Sequence, residues 1–189
     1  MISAILLAAG KSERMNGENK LLKEINGIPL ISHSIRNILN SSIDELIIVL
    51  GFQKEKIRNI IRKNNKIKIV VNEKYENGMS SSIITGLNNL SKNTEAFFIC
   101  LSDMPFVNKN IYNKLILNKN KKEIIVPTYK KRQGNPVLFP IDMKNKIMTI
   151  KGDLGAKKIL LLNKDKILNI DTDHSGIIQN FNTANDFNS

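Results

Sequence analysis

Short apolar runs alternate with amphipathic stretches along this 189-residue chain, and that alternation limits the folds open to it. Ile2 to Ala8, Asp44 to Leu50, Ile67 to Val71, Ala96 to Leu101, Ile124 to Pro127 and Ile167 to Ile170 read as strands. Between them apolar residues recur at helical spacing: Leu30, Ile31, Ile35, Ile38 and Leu39, then Ile57, Ile60 and Ile61 within Gln53 to Asn64. Ile83, Ile84, Leu87 and Leu90 repeat the period, as do the runs Ile111 to Leu117 and Ile159 to Leu162. Strand, helix and strand in repeated succession predict a doubly wound α/β fold, a mostly parallel sheet flanked by helices on both faces. One domain spanning residues 1–189 is expected, because that length suits a single core. Asn26-Gly27 is a two-residue hairpin signal that also suits a tight turn into a helix at Leu30.

The first strand opens into Leu7-Ala8-Ala9-Gly10-Lys11-Ser12-Glu13-Arg14-Met15-Asn16-Gly17-Glu18-Asn19-Lys20-Leu21-Leu22. Small residues let backbone N–H groups approach an anion, and Lys11, Arg14 and Lys20 add charge that a backbone lacks. Neither common phosphate loop is present. Gly10-Lys11-Ser12 ends like a Walker loop, but Ile5 stands where its first glycine belongs; a dinucleotide fingerprint needs three spaced glycines, and only Gly10 and Gly17 occur.

Three further loops stand out. Asn72 to Ser82 ends in Gly78-Met79-Ser80-Ser81-Ser82 ahead of an amphipathic run, so a serine is expected to cap that helix, and free N–H groups there suit a nucleotide. Ser102-Asp103-Met104-Pro105 comes after a central strand, where open α/β sheets bind ligands; Asp103 suits either a divalent metal or the cap of a turn. Arg132-Gln133-Gly134-Asn135-Pro136 is a turn by local rules, and Asp153 in Gly152-Asp153-Leu154-Gly155-Ala156 reads as the N-cap of the next helix.

The net charge of +12 raises nucleic-acid binding. Its lysines, however, are spread over segments such as Lys63 to Lys68 and Lys119 to Lys122 without interleaved aromatics, so a solvated basic surface is the expectation and a nucleic-acid partner is not. No run approaches the roughly 18 apolar residues of a membrane span, and no charged n-region precedes the first strand, so a cytoplasmic protein is expected. The single cysteine, Cys100, lies within an apolar strand and is expected to be buried and inert. His33 and His174 fit no ligand spacing with it and are expected on a helix surface and in a loop.

The loop from Leu7 to Leu22 resembles the signature of the molybdenum cofactor nucleotidyltransferases: Leu-Ala-Ala-Gly, then Ser-x-Arg-Met-Gly, then a lysine before two apolar residues. One position departs, with Asn16 ahead of Gly17, and asparagine is the residue that best replaces glycine in a left-handed conformation. The resemblance extends to Gly78, Met79, Ser81 and Ser82, to Asp103-Met104-Pro105, to Gly134-Asn135-Pro136-Val137-Leu138 and to Gly152-Asp153. Leu7-Ala8-Ala9-Gly10 is similar to the cytidylyl branch, whereas Asn180-Phe181-Asn182-Thr183 is similar to the guanylyl branch.

This resemblance implies a fold like that of the nucleotide-diphospho-sugar transferases. It implies transfer of a nucleoside monophosphate, CMP in the favoured reading and GMP in the alternative, from the triphosphate to the terminal phosphate of a molybdopterin-type cofactor, releasing pyrophosphate. Another phosphorylated acceptor is a nearer rival reading, and a basic nucleic-acid-binding module a distant one. Leu7, Ala8, Ala9, Gly10, Lys11, Ser12, Arg14, Lys20, Gly78, Met79, Ser81 and Ser82 would bind the nucleotide. Lys20 would meet the α-phosphate, Lys11 and Arg14 the β- and γ-phosphates, and Asp103 would hold Mg²⁺, with Mn²⁺ able to replace it. Gly134, Asn135, Pro136, Gly152 and Asp153 would face the second substrate, and an acceptor molybdoenzyme or its chaperone is an implied further partner. A phosphate monoester, with a second pKa of about 6, is already dianionic at neutral pH, so no general base is expected.

Overall fold

The computed structural model describes residues 1–12, 17–152 and 155–187. In chain order these residues build β1 (Ile2–Ala8), β2 (Glu24–Ile25), β3 (Ile28–Pro29), α1 (Leu30–Leu39), β4 (Glu45–Leu50), α2 (Lys54–Ile60), β5 (Ile67–Val71), α3 (Met79–Asn88) and β6 (Ala96–Leu101). Next come α4 (Lys109–Leu117), β7 (Ile124–Tyr129), β8 (Arg132–Gln133), β9 (Val137–Pro140), α5 (Lys144–Ile147), α6 (Gly155–Leu162) and β10 (Ile167–Asp171). None of the described helices is long and apolar enough to cross a membrane.

The main sheet runs β10-β7-β9-β6-β1-β4-β5, with β8 folded back on β7. Every pair along it is parallel except those made by β9, which runs antiparallel to both β6 and β7. Alternate residues of β1 feed two cores: Ile2, Ala4, Leu6 and Ala8 pack with α1 and α4, while Ile5 and Leu7 pack with α3 through Ile83 and Leu87. A strand buried on both faces in this way has no polar side to show, which is why it reads as a continuous apolar run.

From β1 the chain winds outward through β4 to β5, then returns to the other side of β1 as β6. The strand order therefore reverses between β1 and β6, and the crevice outside the carboxyl ends of those two strands is the usual ligand position in such sheets. Leu7 is in register with Leu101, which brings the loop after β1 beside Ser102 and Asp103.

Asn26 and Gly27 form a hairpin turn between β2 and β3, both at positive φ (52° and 73°), so the hairpin reading holds over that of a tight turn alone, and α1 starts at Leu30 as expected. The helix at Lys54 ends at Ile60, earlier than the expected Asn64. His33 lies half-buried on α1, its Nε2 3.2 Å from the Ile25 carbonyl, and His174 caps the short turn Ser175–Ile178.

Candidate active site

A cleft of about 420 Å³ opens at the reversal point. Its floor is Leu7 and Leu101, one wall is the loop after β1 with Ala9, Gly10, Lys11 and Ser12, and the opposite wall is the start of α3 with Gly78, Met79 and Ser82. Lys20, Asp103 and Asn182 close the inner end.

The loop owes its shape to short polar ties. Ser12, at positive φ (55°), accepts the Lys20 backbone N–H at 3.2 Å, which draws the two ends of the loop together. Asn19 accepts the Leu21 N–H at 3.0 Å and donates to the Phe52 carbonyl at 3.3 Å, so the turn Lys20–Leu22 is capped and fixed to the end of β4. Gly51 makes this approach sterically allowed: a Cβ there would stand 2.8 Å from the Cβ atoms of Ala9 and Tyr75. The Phe52 N–H in turn donates to the Ala9 carbonyl at 3.1 Å.

Asp103 is set by the same logic. The Ser102 hydroxyl donates to the Leu7 carbonyl at 2.6 Å, and the Ser34 hydroxyl donates to the Ser102 carbonyl at 3.2 Å, so the end of β6 is tied to β1 and α1. The Lys20 ammonium donates to Asp103 Oδ2 at 2.6 Å and to the Asn182 amide oxygen at 2.9 Å. Both members of the ion pair are only about one-sixth exposed (17% and 16%), which places it at the dry end of the cleft. Asn182 arrives from the far C-terminal segment, where the Phe181 N–H donates to the Asp103 carbonyl at 2.9 Å. Asp186 takes the N–H groups of Asn182 and Thr183, and those bonds hold its carboxyl below the usual carboxylate range.

At the mouth, Lys11 and Glu76 form an ion pair of 2.7 Å that joins the loop after β1 to the turn Tyr75–Asn77 leading into α3. That helix begins at Met79 after an N-cap Gly78, whose φ of 89° would strain a serine, and no side chain caps it. The expected serine cap is thus absent. Ser81 instead donates to the Lys74 and Gly78 carbonyls and accepts from Asn72, and the same Asn72 amide reaches the Ser82 hydroxyl at 3.0 Å.

Of the residues expected at a nucleotide, Leu7, Ala9, Gly10, Lys11, Ser12, Lys20, Gly78, Met79 and Ser82 line the cleft, and Asp103 joins them. Ala8 points into the core, and Ser81 stands behind the wall on Asn72. Gly134, Asn135 and Pro136 lie outside the cleft lining, at the turn before β9, where the Asn135 N–H donates to the Ile177 carbonyl at 2.9 Å. A Cβ at Gly134 would come within 2.4 Å of that same carbonyl oxygen, so the bare glycine is what lets the two segments meet. Gly152 accepts the Ser80 N–H at 3.1 Å, beside the first turn of α3. Arg14 and Asp153 lie outside the described residues. The cleft also includes Tyr75, Glu76, Leu21 and Ser102, which lie within the segments marked in the sequence without an assigned role there.

Among the described residues no three His, Cys, Asp or Glu side chains cluster as a metal cage. The donors that do converge, one carboxylate and one amide oxygen, are hard and already face a cation, the Lys20 ammonium. That set fits a Mg²⁺-type ion, which takes one or two carboxylates and completes its shell with phosphates and water. Cys100 is fully buried beside Tyr112, and burial pushes its thiol up to about 12, so it offers no nucleophile.

An open α/β sheet with two lysines, a helix start and the Asp103 carboxylate gathered at its reversal point is an arrangement suited to phosphate groups. The chain belongs to the family of the MobA-like NTP transferase domain, which it matches over residues 4–167. It is similar to the probable molybdenum cofactor guanylyltransferase of Natranaerobius thermophilus, 34% identical over 157 residues, 81% of this chain and 72% of that protein. It is also similar to the protein of that name from Methanosarcina acetivorans, 28% identical over 153 residues, 79% of this chain and 67% of that one. The matched stretch spans about two thirds of the length of that relative and of the like-named protein from Thermococcus sibiricus. Rv0371c from Mycobacterium tuberculosis H37Rv shares the fold, with a TM-score of 0.87 at 21% identity over 99% of this chain and 95% of that one. A second structure of Rv0371c, in complex with manganese, superposes at 0.75 with 20% identity over 90% and 89%.

Proposed function

We propose that residues 1–189 work as one nucleotidyltransferase domain, which moves a nucleoside monophosphate from its triphosphate to the terminal phosphate of a molybdopterin-type cofactor and releases pyrophosphate. The observation that carries this reading is the Lys20 ammonium, held by Asp103 and Asn182 at the inner end of a cleft whose walls are a small-residue loop and a helix start. The relatives' names supply the acceptor.

The chain's own groups then do three things. The loop after β1 and the start of α3 hold the triphosphate between them. Lys20 fixes the α-phosphate and neutralises charge as the bridging oxygen departs with pyrophosphate, and Lys11 answers the outer phosphates. The dianionic acceptor phosphate attacks in line, so no side chain has to remove a proton. Asp103 and Asn182 would hold a Mg²⁺ or Mn²⁺ ion, which would offset negative charge on the phosphate oxygens. A carboxylate has room for both the ammonium and a metal ion on its two oxygens. The product would pass to an acceptor molybdoenzyme or its chaperone.

CTP is the donor that Leu7-Ala8-Ala9-Gly10 favours. A second reading, GTP, is favoured by Asn180 and Asn182 and by the guanylyltransferase names of the relatives. The test is pyrophosphate release from CTP, GTP, ATP and UTP, with and without molybdopterin cofactor. Release that needs both the cofactor and one of CTP or GTP supports the reading; release with none of the four overturns it.

A further inference from the structure

The family match ends at residue 167, yet Asn182, which accepts a hydrogen bond from the Lys20 ammonium beside Asp103, lies beyond it. A side chain fifteen residues past the last matched position needs its own means of being placed. The structure shows two. The Phe181 ring packs edge-on against Phe106 and Phe187, with centroids at 5.6 and 5.1 Å, and fixes the segment on the loop after β6. Asp186 sets the local conformation: its Oδ2 accepts the Asn182 N–H at 2.8 Å, the Thr183 N–H at 2.7 Å and the Thr183 hydroxyl at 3.1 Å. Three donors on one carboxylate oxygen close the chain from 182 to 186 into a tight loop, and within it the Asn182 amide oxygen meets the Lys20 ammonium.

We infer that Asp186 is a positioning residue of this site: it holds Asn182 on Lys20 by closing the chain between 182 and 186. Its charge also lies near the Lys20 ammonium. Asp186 is not among the residues that line the cleft, whereas Asn182 is. Lys20 then receives its second acceptor only when the 182–186 loop is closed, and the C-terminal segment belongs to the working site rather than to a dispensable tail. The inference rests on the proposed nucleotidyl transfer for its effect on turnover, but not for its effect on Lys20.

The experiment compares Asp186→Ala, Asp186→Asn, Asn182→Ala and the Asn182→Ala/Asp186→Ala double variant in the full chain. Steady-state kinetics gives kcat and KM for the triphosphate, and amine acylation read by mass spectrometry follows Lys20 against the exposed Lys63. Asp186→Ala is expected to lower kcat by about 10-fold with KM changed less, because the loss is one of alignment. Asp186→Asn, which keeps an acceptor oxygen, is expected to regain part of it. Lys20 acylation is expected to rise by about 5-fold, the factor that one hydrogen bond is worth, with Lys63 unchanged. The double variant should match Asn182→Ala alone, as coupling through one residue requires. Additive losses, no gain in Lys20 labelling, or equal gains at Lys20 and Lys63 would each overturn the inference. If the unmodified protein releases no pyrophosphate with any triphosphate, the reading of function fails and the acylation arm still decides the role of Asp186.

Discussion

Lys20 and Asp103, 83 residues apart in sequence, meet at 2.6 Å where β1 and β6 end side by side. The pair joins the cation expected at the transferring phosphate to the carboxylate expected at the metal. Lys20→Ala and Asp103→Ala are each expected to cut nucleotide transfer by about 10²–10³-fold, the usual effect of removing one preorganised electrostatic contact. Circular dichroism and thermal melting should show both variants folded, because neither side chain belongs to the apolar core. Wild-type turnover in either variant contradicts the assignment.

Metal removal tests the carboxylate in another way. Chelation with EDTA is expected to stop pyrophosphate release, and Mg²⁺ or Mn²⁺ to restore it, since both suit oxygen donors completed by phosphate. In Asp103→Asn, half-maximal activity should need about 10-fold or more metal, a shift expected from losing the charge of the main ligand. Activity unchanged by EDTA would remove Asp103 from the metal role.

Much of this site was legible in the chain because strand ends are legible. Apolar runs mark β1 and β6. The residues just past each run, small ones and cations after β1 and Asp103 after β6, must sit at the same edge once the strands are parallel. Direction is a different matter. Val137 to Pro140 is as apolar as its neighbours, and nothing in such a run says that β9 lies antiparallel between β6 and β7. Tyr75 and Glu76 lie in the marked segment Asn72 to Ser82 but received no role for a related reason, being turn residues with no period to distinguish them. Gly78 displaced the expected serine cap because backbone conformation, not hydroxyl chemistry, begins α3. Asn182 was visible only through resemblance, since its partner Lys20 is 162 residues away.

Glu76 is an acidic residue lining the cleft proposed for the triphosphate, and it faces Lys11 at 2.7 Å. Glu76→Gln is expected to lower the KM for the triphosphate by about 2- to 5-fold at low salt, in keeping with the modest worth of an exposed ion pair. The gain should shrink at about 0.5 M salt, where the screening length is well under 10 Å. A raised KM would show that Glu76 holds the nucleotide instead of competing with it.

Gly51→Ala probes the packing beneath the loop. Its new methyl would stand 2.8 Å from Ala9 and Tyr75, and shifting that backbone is expected to cost about 1–3 kcal/mol. For a chain of this length that lowers Tm by about 2–4 °C per kcal/mol. The KM for the triphosphate should rise as well, because the displaced residue carries one wall of the cleft. Unchanged Tm and KM would show that the loop does not depend on this contact.

Nucleotidyl transfer moves the α-phosphoryl group together with its nucleoside, and label position measures that movement most directly. The protein is incubated with molybdopterin cofactor, a divalent metal and CTP or GTP carrying radiolabel at either the α- or the γ-phosphate. The expected result is that α-label moves to the cofactor while γ-label leaves as pyrophosphate, and that Lys20→Ala slows both by about 10²–10³-fold. Movement of γ-label to the cofactor, or no label transfer from either nucleotide, contradicts nucleotidyl transfer by this chain.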